Sequence, residues 1–599
     1  MPGFSAAQIG DGDRDVFSRV HGASESAHQT EEEYIEQTTL ARSTYPEYPL
    51  RVIESDRYIV GFEGCIYDRS PTNDELLSLA DSVFSVRGTV PNTISEWVGS
   101  VDGDFILLFA NRDDGQLAVL NDAFARLPIY YQCTEQGLVI SRSIGVVRDY
   151  SRLIGAEAEI DPLGVAQSLL FRYTLGDRTV FERVKRLSPG SLLRTTGDGV
   201  EVNSTYQFDF SNKPYAGKSV RENAEELAES FSTACEQRSG STDCDIVALS
   251  GGLDSRGVAA AHHRNGTPFV SATHTGTSKG DVEVAEKVAD ALDSSWILCN
   301  VSDSDVNRRK IIERKRGMSP VQRGSGVEFQ ERLVDVYGPS ITTFSGDGGD
   351  KALPDQRSPA TLRTDRDLIE GCGKIDVEDV ASITRCSQKK IIKSVRDRID
   401  SYPEPNLSDK RAHFMLRERG INWLGENEDT NRYFHWHVAP FYSRPFFERA
   451  MACPHEQKSN QKLQREFLKA LSPIAVSIRD ENTGYQPGAI RFRATRQAKG
   501  FIRERPYLRA LAISLLGRKD ETKDADEKLE RSELQIASVI RSQLNEQSEI
   551  DEALSVPAIR RALRSKYAET PLYNLLTATS LTVRDIRGPK EIVDAAGAD

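Results

Sequence analysis

The sequence predicts an α/β protein in three parts: a layered α+β N-terminal region, a doubly wound parallel sheet, and a helical C-terminal part. Two observations support this prediction. Short apolar runs separated by turn residues fill residues 51–147, whereas strand-like and helix-like segments alternate between residues 244 and 344. The chain has 599 residues, which is enough for several domains of roughly 100–200 residues each.

Composition excludes several classes of protein. The chain has 77 basic and 90 acidic residues, a net charge of −13, which argues against a large nucleic-acid interface. No run approaches the roughly 18 apolar residues needed to cross a membrane, and no signal peptide is visible, so a cytoplasmic protein is expected. The eight cysteines form no C-x-x-C pair, so neither a zinc site nor a disulfide scaffold is predicted.

The N-terminal region is expected to be rich in β-strands. Asp113-Asp114-Gly115 and Glu135-Gln136-Gly137 are turn signals between apolar runs, and residues 74–83 form the best helical pattern there. The predicted strands are residues 58–62, 66–67, 105–109, 117–120, 129–131 and 138–140. Alternating short strands with one helix favour a layered or sandwich-like arrangement.

One stretch organises the rest of the chain. Residues 246–249 form a short apolar run, Ser250-Gly251-Gly252-Leu253-Asp254-Ser255 is a tight polar loop, and residues 258–263 begin a helix. A glycine-rich loop between a strand and a helix brings backbone N–H groups and a helix N-terminus to an anion, so the stretch predicts a phosphate site. Asp254 would repel phosphate unless a divalent cation lay between them, which implies Mg²⁺. The loop has no lysine, so it is not the common nucleotide-binding P-loop.

A second loop of similar character follows a later strand. Residues 268–273, 296–301 and 341–344 are predicted strands, and residues 281–292 an amphipathic helix. Ser345-Gly346-Asp347-Gly348-Gly349-Asp350 comes directly after the last of these strands. Because ligands of doubly wound sheets bind beyond the carboxyl ends of the strands, both loops are expected at one site.

Several segments together resemble one known superfamily. Ser-Gly-Gly-Leu-Asp-Ser resembles the PP-loop of ATP pyrophosphatases, which cut ATP between its α- and β-phosphates. Residues 62–68, 101–105, 121–131 and 179–190 resemble, in order, segments of class II glutamine amidotransferases. Residues 345–350, 444–447 and 458–473 resemble later segments of the asparagine synthetase superfamily. The resemblance covers residues from about 50 to about 490.

The resemblance implies a fold and a set of site residues. It implies an Ntn-hydrolase-like amidotransferase domain at residues 1–205, a PP-loop synthetase domain at 215–515, and a charged linker with a helical extension at 516–599. Asp254 and Asp350 would hold Mg²⁺, Asp347 would be the candidate base, and Lys462, or Lys458 in another register, would stabilise charge. The implied ATP- and pyrophosphate-binding residues are Leu249, Ser250, Gly251, Gly252, Leu253, Asp254, Ser255, Ser345 and Gly346.

The sequence also departs from the superfamily. The glutaminase nucleophile of these enzymes is a cysteine directly after the initiator Met, whereas residue 2 is Pro2. Glu63 replaces an oxyanion-hole asparagine, and its charge would oppose an oxyanion. Cys65 and Cys133 lie in strand patterns and are interpreted as small buried residues. The amidotransferase fold is therefore expected to be kept, and glutamine hydrolysis to be lost.

The predicted function is ATP-dependent amide-bond formation, as in asparagine biosynthesis. The expected substrates are a small-molecule or peptide carboxylate and ammonia or an amine donor, and a separate glutaminase is a further source of nitrogen. Binding to nucleic acid or to a membrane is not expected. A homodimer is compatible with the sequence. Alternatives are an intramolecular cyclase of the β-lactam or lasso-peptide type, a PP-loop enzyme acting on tRNA, which the acidic charge disfavours, and an ATP-binding regulatory protein without catalysis. The Tyr that acts as base in β-lactam synthetases cannot be placed from the sequence.

Overall fold

A computed structural model describes most of the chain. It covers residues 1–503 except 9–13, 25–27, 36, 87, 136, 157, 198, 320–323, 358–363 and 374, and then residues 536–544, 554–563 and 569–581. The charged segment 517–531, predicted as a linker or exposed helix, lies outside the described residues.

Two six-stranded antiparallel sheets form the N-terminal half. The first has the order β10-β8-β9-β1-β3-β2, with β1 Gly3–Gln8, β2 Gln29–Ile35, β3 Thr38–Thr44, β8 Tyr130–Thr134, β9 Gly137–Ser141 and β10 Lys185–Arg186. The second has the order β12-β11-β7-β6-β5-β4, with β4 Leu50–Glu54, β5 Tyr58–Ile66, β6 Gly103–Asn111, β7 Leu117–Asn121, β11 Ser191–Thr196 and β12 Gly199–Ser204. The predicted strands of this region lie within or overlap this set.

The third sheet is parallel and has five strands. Its order is β15-β14-β13-β16-β17, with β13 Cys244–Ala248, β14 Val270–His274, β15 Ser295–Cys299, β16 Ile341–Phe344 and β17 Trp436–Val438. The chain moves from β13 outward to β15 and then returns to β16 on the other side of β13. The strand order therefore reverses between β13 and β16, which is where doubly wound sheets bind ligands.

Helices cover all three sheets. Those up to residue 337 are α1 Arg14–Ser24, α2 Asn73–Ser85, α3 Asn92–Ser100, α4 Ile144–Leu153, α5 Pro162–Phe171, α6 Val220–Gln237, α7 Leu253–Asn265, α8 Lys279–Ala291, α9 Asp305–Lys315 and α10 Ser325–Tyr337. They continue as α11 Gly349–Ala352, α12 Asp365–Cys372, α13 Val377–Thr384, α14 Gln388–Asp400, α15 Leu407–Phe414, α16 Gly425–Asn431, α17 Arg444–Ala452, α18 His455–Lys458, α19 Lys462–Leu471 and α20 Ile490–Arg503. A π-helix spans Met415–Leu424, 3₁₀ turns span Pro440–Tyr442 and Ser459–Gln461, and later helices span 536–544, Val556–Ala562 and Glu569–Ser580. No helix in the described ranges is both long and apolar enough to cross a membrane.

The N-terminal half has four layers: helix, sheet, sheet, helix. Strand β6 shows why. Its residues Ile106 and Leu108 pack into the core between the two sheets, whereas Phe105, Leu107 and Phe109 pack against α2 and α3 on the outer face. A strand buried on both faces needs a continuous apolar run rather than an alternating one, and Phe-Ile-Leu-Leu-Phe supplies it. The outer face of the first sheet packs against α1, α4 and α5.

The two halves meet at a buried cluster of charges on and around α16. Asp429 pairs with Arg142 and Lys315, and Glu426 with Lys315 (3.1 Å) and Arg186 (3.2 Å). All of these side chains are at most 2% exposed. Further pairs, Glu428 with Arg126 and Asp104 with Arg432 (2.7 Å), lie beside them. Because Arg142, Arg186, Arg126 and Asp104 come from the N-terminal half, the cluster joins the two halves through desolvated ion pairs.

Removing one member of this cluster is expected to be costly. Asp429→Asn leaves two buried cations short of a partner, so the free energy of unfolding should fall by about 3–5 kcal/mol. Burial opposes ionisation of Asp429, but Arg142 and Lys315 hold its pKa below the ordinary value. Its contribution is therefore complete above the unfolded pKa of about 3.9 and is lost as the pH falls through the folded value, so the deficit of the variant should shrink below pH 4.

Urea unfolding of the wild type and of Asp429→Asn between pH 3 and pH 8 measures this effect. Asp177→Asn is the matched control, because Asp177 pairs with Lys185 at 2.9 Å with both side chains about half exposed. The control should change the free energy of unfolding by at most about 1 kcal/mol. Equal losses in the two variants would contradict a special role for the buried cluster.

Candidate active site

The loop after β13 is preorganised for an anion. The Ser250 N–H donates to Ser255 Oγ at 3.0 Å, and the two serine hydroxyls lie 2.9 Å apart. These bonds fold the loop so that Gly252 caps α7. A glycine has no side chain to occupy the first-turn N–H groups, which leaves them for a ligand. Leu249, the last residue before the loop, is buried and donates its N–H to Ala272 O at 2.8 Å.

The loop after β16 lies directly against the first loop. A Cβ on Gly346 would come within 2.4 Å of the Ser255 nitrogen, and a Cβ on Gly349 within 2.7 Å of the Asp254 carboxyl carbon. Both positions therefore require glycine for close approach of the backbones. This contact follows from the sheet, because β13 and β16 are parallel neighbours and their carboxyl ends meet at the same edge.

Three predicted carboxylates meet here. Burial, together with the nearby Asp350 and Asp347, raises the pKa of Asp254 to about 8. Burial and Asp350 likewise raise the pKa of Asp347. The Lys351 ammonium pairs with Asp350, and Gln464 Nε2 donates to Asp254 Oδ1 at 2.7 Å. Asp254 and Asp347 are partly buried, whereas the Asp350 side chain is 57% exposed. The repulsion among these neighbouring carboxyl groups favours a bound cation.

Asp254 and Asp350 are the residues that could hold Mg²⁺. Mg²⁺ usually takes one or two carboxylates and completes its shell with phosphate oxygens and water. Among the residues that the structure describes, no group of three or more His, Cys, Asp or Glu side chains is placed to hold a metal alone. A two-carboxylate site that is completed by a phosphate is consistent with both facts.

Two site residues were missed from the sequence. Arg126, from the turn before β8, places its guanidinium 4.0 Å from the ring centre of Tyr442, and its charge lowers the pKa of Asp347 against the effect of burial. Tyr442 lies against Gly348 and donates its hydroxyl to Gly420 O at 3.1 Å. Arg126 belongs to a segment that the sequence identified for another reason, and nothing in that segment indicated a contact more than 200 residues away in the chain.

Two further carboxylates lie at the first loop. Asp281 Oδ1 accepts the Gly251 N–H at 3.1 Å, and the Glu481 carboxylate packs against Gly280 at the start of α8. Glu481 is positioned by the buried Arg256, whose guanidinium donates to the carbonyl groups of Ala475, Ile478 and Arg479 between 2.8 and 2.9 Å. An anion that binds this loop therefore meets two acidic side chains as well as the backbone N–H groups.

Comparison with known proteins gives the relationship. Residues 43–207 match the glutamine amidotransferase domain family. Proteins assigned as glutamine-hydrolysing asparagine synthetases from Mycobacterium bovis and Mycobacterium tuberculosis are 22% identical over 258 residues, which is 41% of this chain and 40% of theirs. The chain is thus similar to a glutamine amidotransferase domain over residues 43–207, and to these asparagine synthetases over about two fifths of its length.

The matched region thus spans about two fifths of these curated relatives. Two solved structures also align with 70% of the chain: glutamine phosphoribosylpyrophosphate amidotransferase from B. subtilis with ADP and GMP, and an allosteric regulatory enzyme of purine biosynthesis. The chain covers 96% and 95% of them, at 10% and 9% identity, with a TM-score of 0.25 in each case.

The two lysines predicted from the sequence have different surroundings. Lys462 begins α19 and is exposed, whereas Lys458 is buried and donates Nζ to Ala352 O at 2.8 Å. Lys458 therefore supports the end of α11, the short helix that carries Asp350. Counting four residues back from Arg465, as in the superfamily's Lys-x-x-x-Arg pattern, leads to Gln461 rather than to a lysine.

A buried carboxylate, that of Glu63, lies beside the start of β1. The Glu63 side chain accepts the Phe4 N–H at 3.1 Å, the Tyr48 hydroxyl at 2.5 Å and Arg142 Nε at 2.9 Å. It lies so close to Gly3 that a Cβ there would come within 2.5 Å of its oxygens. Cys65 lies in β5 and is partly buried. Cys133 lies in β8, and the expectation that it is buried is wrong: it is exposed, because it lies near the end of the strand, where the turn to β9 begins.

The buried Lys458 predicts a pH dependence. Burial lowers the pKa of Lys458 to about 7. Keeping this group in the folded state is therefore most costly below pH 7, and the cost is relieved as the pH rises toward the unfolded value of about 10.4. The stability of the wild type relative to Lys458→Met should thus rise between pH 7 and pH 10, by at most about 1.4 kcal/mol per pH unit.

Chemical unfolding at fixed pH values measures this difference. The exposed Lys462→Met is the control and should leave the stability of the protein unchanged at each pH. The wild type's stability relative to Lys458→Met should rise with pH, and its stability relative to Lys462→Met should not. An equal rise relative to both variants, or no rise relative to Lys458→Met, would contradict a buried Lys458.

Proposed function

We propose that this protein is an ATP-dependent ligase that adenylates a substrate carboxylate and transfers the acyl group to ammonia or an amine. The observation that carries the proposal is the contact between the loops after β13 and β16. It brings Asp254, Asp347 and Asp350 together beside the N-terminus of α7, where the N-cap Gly252 makes no side-chain hydrogen bond. The asparagine synthetase-like relatives support the same class of reaction.

The first step would use the loop after β13. The first-turn N–H groups of α7 and the hydroxyls of Ser250 and Ser255 would hold the phosphates of ATP. Asp254 and Asp350 would hold Mg²⁺, which supplies neutralisation of phosphate charge. A carboxylate oxygen of the substrate attacks the α-phosphorus, the bond to the bridging oxygen of the β-phosphate breaks, and pyrophosphate leaves with its electrons. The product is an acyl-adenylate.

The second step would use the loop after β16. The nitrogen of ammonia or an amine attacks the acyl carbon, AMP leaves, and a proton passes from nitrogen to Asp347. Burial and Asp350 raise the pKa of Asp347, which makes it a stronger base than an ordinary aspartate. Tyr442 is a weaker candidate for this role, because burial raises its pKa and its hydroxyl already donates to Gly420 O.

The nitrogen source is proposed to be outside this chain's own amidotransferase-type domain. Glu63 and Arg142 form a buried ion pair beside the start of β1, and Pro2 stands where the resemblance implies a nucleophilic cysteine. Free ammonia, a separate glutaminase, or an amine of the substrate would then supply nitrogen. An amine within the substrate itself would make the enzyme an intramolecular cyclase.

One specific observation favours a second candidate function. Gln461 stands where the superfamily pattern has a lysine, and Asp281 and Glu481 add negative charge at the phosphate loop. A protein that binds ATP without releasing pyrophosphate would fit these substitutions.

Two assays separate the steps. Exchange of labelled pyrophosphate into ATP reports adenylation, and product formation reports amide synthesis; aspartate with ammonium is the first pair of substrates to test. Asp254→Asn should lower both rates by about 10²-fold or more, because one preorganised electrostatic group is lost. Asp347→Asn should keep the exchange and lower amide formation by about 10²–10⁴-fold, the usual contribution of a general base.

Asp290→Asn is the control, because Asp290 is an exposed residue on α8 away from both loops. It should leave both rates unchanged. ATP binding without exchange, across aspartate and a panel of peptide and sugar-acid carboxylates, would overturn the ligase and support the second candidate. Exchange with a carboxylate other than aspartate would keep the ligase and change its substrate.

A further inference from the structure

A cavity opens between the two antiparallel sheets, and none of its lining residues belongs to the loops of the proposed active site. Its volume is about 250 Å³. Its floor is apolar and consists of side chains from both sheets: Phe4, Leu40, Val52, Ile59 and Leu108. Gly61 also lines the cavity, and it leaves room for the Phe4 ring, because a Cβ at residue 61 would lie 2.4 Å from that ring.

The rim of the cavity is acidic. Glu31, Glu33 and Glu54 border it from β2 and β4, on the side where a sandwich normally carries apolar residues. Arg42 pairs with Glu31, and Arg112 pairs with Glu54 (2.6 Å) and Glu33 (3.4 Å). Three carboxylates thus share two guanidinium groups, and burial and the neighbouring Glu54 raise the pKa of Glu33. Among these five side chains, negative charges therefore exceed positive charges by one.

The two strands that flank the cavity are sheet edges. In the described part of the chain, β2 and β4 each form one of the two edges of their sheet, and each pairs with another strand on one side alone. An edge strand offers backbone N–H and C=O groups to an extended peptide, and a pocket beside it receives alternate side chains. β2 also directs Glu31 and Glu33 toward the cavity.

We propose that this cleft binds an extended peptide alongside β2. A large apolar side chain of the peptide fills the cavity, and a lysine or arginine two residues away pairs with the acidic rim. Charge complementarity selects this occupant: an apolar floor takes an apolar side chain, and an excess of carboxylates takes a cation. The site is distinct from the proposed ligase chemistry and stands or fails independently of it.

Fluorescence anisotropy with a labelled, capped Lys-Thr-Trp-Thr-Lys peptide tests the proposal on the full chain. Val52→Trp fills the cavity and should weaken binding at least about tenfold, the loss expected for one buried anchor. Glu31→Gln combined with Glu54→Gln should weaken binding and reduce its dependence on salt, because exposed rim charges act through screened attraction. Glu96→Gln, an exposed change on α3, should have no effect.

Each remaining outcome has a defined meaning. The charge variant changes exposed side chains alone, so it remains informative if Val52→Trp fails to fold. Equal binding of Lys-Thr-Ala-Thr-Lys would show charge attraction without an anchor and overturn the proposal. Absence of binding to the wild type at millimolar peptide would mean that the inward glutamates merely protect the sheet edge. Tighter binding of free tryptamine than of the peptide would assign the cavity to small amines and also overturn it.

Discussion

Desolvated ion pairs on one short helix, α16, hold the two halves of the molecule together. Glu426, Glu428 and Asp429 are fully buried and point to cations from both halves. The cost of burying such charges is roughly offset by their mutual attraction only while every partner is present. The cluster therefore adds little net stability as a whole, yet the loss of any one member leaves an uncompensated charge. Neither half reaches its native surroundings without the other.

The same cluster reaches the candidate active site. Glu428 forms an ion pair with Arg126, which belongs to the N-terminal half. Arg126 in turn stacks on Tyr442, and its charge lowers the pKa of Asp347 against the effect of burial. The N-terminal half thus supplies a cation to the pocket of the other half, whether or not it has chemistry of its own. This contact gives the N-terminal half a structural part in the candidate site of the other half.

Sequence patterns located the parts of this structure whose signals are local. The strand, loop and helix at 244–265 and the loop at 345–350 were predictable, because short apolar runs and glycine-rich turns determine them. β1 and β2 were missed because Gly-Phe-Ser-Ala-Ala-Gln is weakly apolar and β2 carries three consecutive glutamates, and β17 because it has three residues. The roles of Lys458, Lys462 and Arg126 depend on burial and on contacts distant in sequence, so no local pattern specifies them.

Charge balance at the two loops determines how an anionic nucleotide would have to enter. Of the nearby cations, Lys351 is already paired with Asp350 and Arg126 with Glu428, while Asp281 occupies the Gly251 N–H. Neither of these two cations is therefore free to neutralise a triphosphate at this loop. Under the proposed function, the nucleotide would bind as its magnesium complex. The added cation would relieve the repulsion among Asp254, Asp347 and Asp350. It would also relieve the repulsion between these carboxylates and the phosphates. In that arrangement nucleotide affinity and metal affinity depend on each other.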